Sequence, residues 1–206
     1  MMSCCSKRIC NGCNLAYKLR QLEGSMDETC PFCRKPAPST DEVINEQWMK
    51  RVEANCPVAI CYIGTEKYKE GDYEAAFEYW SRRAAALGDA LAHYQISCLY
   101  RDGNGVEKDE KKVLHHLEEA AIGGHPGARH DLGSEEETRG RLDRVVKHCV
   151  IAAKLGFDKS LESAKSLYRA GLMSKDDFAA ALRGHHAAIE ATKSPQRDAA
   201  ANFFGM

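Results

Sequence analysis

A chain of 206 residues with a formal net charge of −1 is long enough for one or two domains with a real core, and it has no basic surplus to attract nucleic acid or an anionic membrane. Its 44% of hydrophobic residues are dispersed among 29% of charged ones, and no apolar run approaches the ~20 residues that span a bilayer. The N-terminus has no apolar stretch of the secretory kind, so the ten cysteines are expected to stay reduced in a cytoplasmic or nuclear protein.

Six of those ten cysteines fall within the first 33 residues, as Cys4, Cys5, Cys10-x-x-Cys13 and Cys30-Pro-Phe-Cys33. A two-residue gap lets both thiolates of a pair point into one tetrahedral Zn²⁺ shell, with the chain turning tightly between them. Structural zinc is the expected cofactor, and all six are candidate ligands. Six ligands fill one four-ligand site and half of another. Cys56, Cys61, Cys98 and Cys149 are scattered among apolar neighbours and read as small core residues.

The count and order of the six resemble the RING family of cross-brace zinc domains, over about 35 residues. In that family the first and third ligand pairs hold one ion, and the second and fourth hold another. Cys4 and Cys5 match the second pair, Cys10 and Cys13 the third, and Cys30 and Cys33 the fourth. The first pair is absent, which implies a truncated or decayed domain. The resemblance implies a closed site of Cys4, Cys5, Cys30 and Cys33, with Cys10 and Cys13 left unpartnered. It also implies contact with a ubiquitin-conjugating enzyme through Pro31 and Arg34.

Two prolines in Arg34-Lys-Pro-Ala-Pro-Ser-Thr40 disfavour helix, making this a short linker. Ser39 and Glu42 then have capping-box spacing ahead of Val43, Ile44, Trp48, Met49 and Val52, so 41–55 reads as a connecting helix. From Pro57 to about residue 190 the chain is helix-compatible, and Pro126 stands where a helix should begin. The expected organisation is a partial zinc module over 1–35, a linker and helix over 36–56, repeats over 57–190, and a polar, frayed tail over 191–206.

The long region repeats. Ala84-Ala85-Ala86-Leu87-Gly88 aligns with Ala120-Ala121-Ile122-Gly123-Gly124, 36 residues on, and with Ala152-Ala153-Lys154-Leu155-Gly156, 32 further. Tyr68, Tyr100 and Tyr168 fall in one column, and Gly71, Gly103 and Gly171 in another. A period of 32 to 36 residues marks a solenoid of helix pairs, each burying its apolar face against its neighbours. The all-α fold expected is a helical-hairpin solenoid of about four pairs. Gly103-Asn-Gly105-Val106-Glu-Lys-Asp109, with the Ala-Ala pair near the end of the following helix, resembles the Sel-one-like repeat (SLR), a relative of the tetratricopeptide repeat. In that reading the glycines supply positive φ and Asp109 caps the next helix. The third unit departs from it, with Ser134-Glu-Glu-Glu-Thr-Arg-Gly140 in place of the glycine-valine loop.

Possible chemistry yields to packing. His115, His116, His148, His185 and His186 invite a metal or Cys-His reading, but Trp80, His116 and His148 share one column on successive second helices. Glu135, Glu136 and Glu137 read as a solvated helix end. A zinc held by four thiolates has no open position for water, and the N-terminal cluster contains no histidine, so a hydrolase is not expected. The reading is a protein-interaction scaffold that binds zinc and takes protein partners on its solenoid. The alternative is a RING-type ubiquitin ligase whose repeats select the substrate.

Overall fold

The computed structural model describes residues 4–5, 9–24, 29–36, 38 and 40–204. Those residues form eleven α-helices, and the one β interaction among them is an isolated bridge between Thr29 and Pro36. None of the helices is long and apolar enough to cross a membrane. The chain divides into two compact units, Met1–Ile63 together with Lys193–Met206, and Gly64–Thr192.

The first unit contains α1 (Asn11–Leu22), α2 (Asp41–Glu53), the start of α3 (Pro57–Lys69) and α11 (Pro195–Phe204). Helix α2 is capped by Thr40, whose hydroxyl accepts the Val43 N–H at 3.4 Å. Ser39, the expected cap, lies outside the described residues. Asp41 and Glu42 in the first turn and Lys50 and Arg51 in the last complement the helix dipole. The helix stops at Glu53, two residues short of expectation, because Asn55 adopts the left-handed conformation at φ 51°. Trp48, 2% exposed, stacks on Tyr62 with ring centroids 4.5 Å apart.

Two helices in this unit depart from the sequence reading. Helix α1 occupies the segment between the second and third cysteine pairs and buries Leu15 and Gly12. The expected frayed tail is instead helix α11. Ser194 Oγ accepts the Arg197 N–H at 3.3 Å, Pro195 takes the first helical position, and Ala200 is buried. A methyl group on Gly12 would lie 2.4–2.6 Å from backbone atoms of Gln196 and Arg197, so only glycine permits this approach of α11 to α1. Gly12→Ala is therefore expected to destabilise the first unit by about 1–3 kcal/mol, despite alanine's better helix propensity. Urea unfolding followed through Trp48 measures it, and an unchanged or raised midpoint would refute the contact.

The second unit stacks α4 (Tyr73–Leu87), α5 (Ala90–Asp102), α6 (Glu110–Ile122), α7 (Pro126–Thr138), α8 (Leu142–Lys154), α9 (Asp158–Arg169) and α10 (Lys175–Glu190). Starts and stops are locally encoded. Asp89, Asp109 and Ser174 each accept backbone N–H groups of the helix they precede. Gly71, Gly103 and Gly171 lie between helices with φ of 82°, 75° and 73°. One core joins Trp80, Ile96, Leu99, Leu117, Ala120 and Leu132, and another joins Val145, Cys149, Ala153, Ala164, Leu167 and Ala181. The repeated alanines Ala120, Ala121, Ala152 and Ala153 are buried, as small side chains at a close helix–helix approach should be. The side chains of residues 84–87 lie outside the described set.

Ser134–Thr138 is not a loop. It is the last turn of α7, and Glu136 within it is buried rather than solvated. Arg141 Nη2 donates to its carboxylate at 2.9 Å and Arg144 Nη1 at 3.2 Å, with Arg139 at 4.0 Å. Burial works against the charge, but these guanidiniums outweigh it and hold the Glu136 carboxyl below its usual range. Glu137 and Ser134 are exposed.

Candidate metal centre

Four of the six expected ligands meet in the first unit. The Sγ atoms of Cys4, Cys5, Cys30 and Cys33 all lie within 4.8 Å of one another. Cys5 and Cys30 sulfurs are 3.6 Å apart, those of Cys4 and Cys33 are 3.4 Å apart, and none of the four is in a disulfide. A tetrahedral shell with Zn–S near 2.3 Å requires S···S separations of ~3.8 Å, so the spacing fits a four-coordinate thiolate site. The group can hold a metal ion.

Local backbone geometry brings these residues together. The Cys30–Cys33 segment turns so that the Arg34 N–H donates to the Cys30 carbonyl at 3.0 Å and the Cys30 N–H to the Lys35 carbonyl at 2.7 Å. Arg34 closes the turn in the left-handed conformation, φ 60°. Its side chain is exposed, and Pro31 is half-buried. The Tyr17 hydroxyl of α1 donates to the Thr29 carbonyl just before the turn. On the other side, Arg51 Nη1 of α2 donates to the Cys4 carbonyl at 3.2 Å. Sequence reasoning missed Tyr17 and Arg51, because neither belongs to a cysteine spacing. Beside the sulfurs a cavity of about 480 Å³ is lined by Tyr17, Pro31, Ile44, Trp48 and Tyr62.

Without a cation, the Cys4 and Cys30 thiols shift in opposite directions. Burial pushes the Cys4 thiol far up, and hydrogen bonds to Cys30 and Cys33 push it further. Cys30, 4% exposed, is pulled down to about 7 against its burial by the Cys33 and Phe32 N–H groups and by the Cys4 and Cys5 thiols. A bound divalent cation would supply the charge that lets all four ionise.

Cys10 and Cys13 stand outside this group. Cys10 is the N-cap of α1, where its sulfur accepts the Cys13 N–H at 3.4 Å. That hydrogen bond, with those from the Cys13 thiol and Arg197, draws the Cys10 thiol down to about 7, while its bond to Cys10 raises Cys13. Of the other cysteines, Cys149 is buried and donates to the Ser160 carbonyl at 3.0 Å, while Cys56, Cys61 and Cys98 are half-buried.

Seven of the eight histidines sit on α5, α6, α7, α8 and α10, His125 is the N-cap of α7, and two of them form a pair that the sequence reading did not anticipate. His93 Nδ1 of α5 and His116 Nδ1 of α6 are 3.0 Å apart, and His116 also stacks on Tyr100. Burial, followed by the neighbouring His93, His115 and Lys112, draws His116 down to about 4. The unfolded chain, with an ordinary histidine pKa, takes up this proton first. Stability is therefore fully present above pH ~6.5 and falls as the pH drops towards ~4, by up to about 3 kcal/mol from this group. His116→Gln should flatten the pH dependence of the urea midpoint between pH 7.5 and 4.5, and equal slopes in both proteins would refute the assignment.

No protein-family model matches the chain. A 57-residue stretch is 37% identical to the rat (Rattus norvegicus) DAP3-binding cell death enhancer 1, covering 28% of this chain and 11% of that protein. The chain thus spans a small part of its curated relative's length. Among solved structures, a Sel1 repeat protein from Oxalobacter formigenes superposes with a TM-score of 0.62, at 24% identity over 88% of this chain and 73% of that one. A protective antigen of uropathogenic Escherichia coli with an SLR fold gives 0.55, at 19% identity over 79% of this chain and 36% of that one. The capped, glycine-punctuated helix pairs and these superpositions together define the fold of this chain as the helical-hairpin solenoid of Sel1-like repeat proteins.

Proposed function

We propose that this chain is a protein-interaction scaffold, with the helix pairs as its binding surface and one Zn²⁺ on Cys4, Cys5, Cys30 and Cys33 as a structural staple. The observation that carries the reading is the Sel1-like fold itself, because stacked helix pairs offer a long, side-chain-rich surface for a partner. Within the second unit an open cavity of about 440 Å³ has an apolar floor of Val145, Cys149 and Leu167 and carries Glu137 of α7 and Glu162 of α9. Such a groove suits a protein segment with apolar and basic side chains. The rat relative is named for binding DAP3, which agrees with a binding role. The zinc is structural in this reading, since four thiolates leave no coordination position open for substrate. The cellular setting that fits unpaired thiols is a reducing one, the cytoplasm or nucleus. The ubiquitin-ligase alternative, with Pro31 and Arg34 as enzyme contacts, draws no support from the comparisons.

The test is quantitative affinity capture with the whole chain and with a Glu137→Lys, Glu162→Lys variant. The scaffold reading expects partners that bind the wild type and fall at least about tenfold with the variant, at equal helicity by circular dichroism. A captured set that does not depend on the groove would remove that surface from the proposal.

A further inference from the structure

Helix α1 carries a longer apolar face than its partner within the chain covers. Gly12, Leu15, Leu19 and Leu22 follow one another at steps of three and four residues, which sets them on one face of the helix. Gly12 and Leu15 are buried, and the backbone of Gln196 and Arg197 at the start of α11 seats against Gly12. Further along the same face Leu19 is 44% exposed and Leu22 84% exposed. The open stretch is therefore a direct continuation of the α1–α11 interface. The occupant of that interface is lightly held. Helix α11 has ten residues, a length that is marginal without packing. Of its described side chains Ala200 is buried and Ala201 half-buried, while the others, Phe203 included, are exposed. An element with so few buried apolar side chains opens at low cost.

We propose that this face of α1 is a docking surface for an amphipathic helix of a partner protein, and that α11 is a strap over its first turn which the partner displaces. The surface lies in the first unit and does not depend on the groove between α7, α8 and α9. What the face presents defines the partner helix. At Gly12 it must bring its backbone as close as that of Gln196 and Arg197. One and two turns further it must carry large apolar side chains to cover Leu19 and Leu22, as in recognition by anchors at i, i+3, i+4 and i+7. Helix α11 meets the first requirement and leaves the two leucines in water. Its advantage is the tether: residues 191–194 alone join it to α10, so its local concentration at α1 is high. Burial of Leu19 and Leu22 is the gain with which an untethered helix offsets that advantage.

The experiment is amide hydrogen exchange on the full-length chain, read by mass spectrometry with and without a probe. The probe is a synthetic amphipathic peptide of about three heptads, with leucine and alanine on one face and glutamate and lysine on the other. Without it, the α11 amides should exchange at least about tenfold faster than those of α2. With it, the α1 amides should slow and the α11 amides should exchange faster still. Leu19→Lys combined with Leu22→Lys should abolish both changes, and since both side chains are exposed the helicity should be kept. If the pair of substitutions lowers the helicity, Leu22→Lys alone, at the more exposed position, decides. Helix α11 amides as slow as those of α2 would overturn the strap. Protection of α1 that leaves α11 unchanged would place the probe beside the seat and overturn the displacement. Protection of α1 that rises with protein concentration in the absence of probe would make a second copy of the chain the occupant and overturn the partner helix. So would a probe that protects nothing.

Discussion

Chelating the metal from this chain should unfold the Met1–Ile63 and Lys193–Met206 unit while the helix pairs of Gly64–Thr192 stay folded. The first unit has few buried apolar side chains for its length: Leu15, Trp48, Val52, Ala59, Ile60, Ile63 and Ala200 are its main ones among the described residues. A structural zinc site contributes on the order of 10–16 kcal/mol of apparent binding energy at neutral pH, and an ion held by the four cysteines would tie Cys4 and Cys5 to a turn 25 residues away. Each unit contains one of the two tryptophans, so a Trp80→Phe background leaves Trp48 to report on the first unit alone. Trp48 lines the same cavity as Cys4 and Cys30. Its emission should shift to the red on chelation, with most of the helical circular dichroism retained. Metal analysis should give about one tightly held Zn²⁺ per chain, and Cys30→Ser should abolish it, because three thiolates do not close the site. Two firmly bound ions, no ion, or unchanged Trp48 emission on chelation would each count against the four-cysteine staple. Acid should act like the chelator, since each thiolate that takes a proton ceases to be a ligand.

The repeats were legible because their signals are local. A cap such as Asp109 or Ser174 and a glycine with positive φ each act within a few residues, so spacing alone located α5, α6, α9 and α10. The cysteine pairs were legible for the same reason: a two-residue gap is a geometric statement. What stayed hidden depended on distant partners. Leu15, Leu19 and Leu22 have helical spacing, but the cap of α1 is a cysteine, which is not one of the usual N-cap residues, and the sequence reading makes no helix of this segment. Helix α11 begins with polar residues and follows the Thr192-Lys-Ser-Pro run that reads as a frayed end, and it is packed by the Gly12 approach, a contact more than 180 residues apart in sequence. The Glu135–Glu137 run looked solvated because its arginines lie beyond a turn that the sequence reading placed earlier. His93 and His116 sit in different columns of the repeat, so only the packing of α5 on α6 reveals the pair.

Trp80→Ala is expected to be the most damaging single substitution in the helical repeats, at about 3–5 kcal/mol. Trp80 is 1% exposed in the core shared by α4, α5 and α6, with Tyr68 at 5.7 Å between ring centroids. The pyrrole side of the indole lies against α3 at a position where only glycine fits. A methyl group on Gly64 would come 2.6 Å from Nε1 and 2.8 Å from Cδ1 of Trp80. The indole N–H meets no acceptor among the described residues, so tryptophan is held here by volume and not by a hydrogen bond. Trp80→Phe should therefore cost less than about 1.5 kcal/mol, the lost volume being offset by removal of an unsatisfied donor. The sharper test is a change of sign. In the wild type, Gly64→Ala forces the ring to move and should destabilise by about 1–3 kcal/mol. With Trp80→Ala already present the collision is gone, and Gly64→Ala should instead stabilise by up to about 1 kcal/mol through helix propensity. Urea unfolding of all four proteins, followed by circular dichroism, closes the double-mutant cycle. Additive effects would mean that Gly64 and Trp80 are not in contact, and the close approach that seats α4 on the second half of α3 would then be wrong.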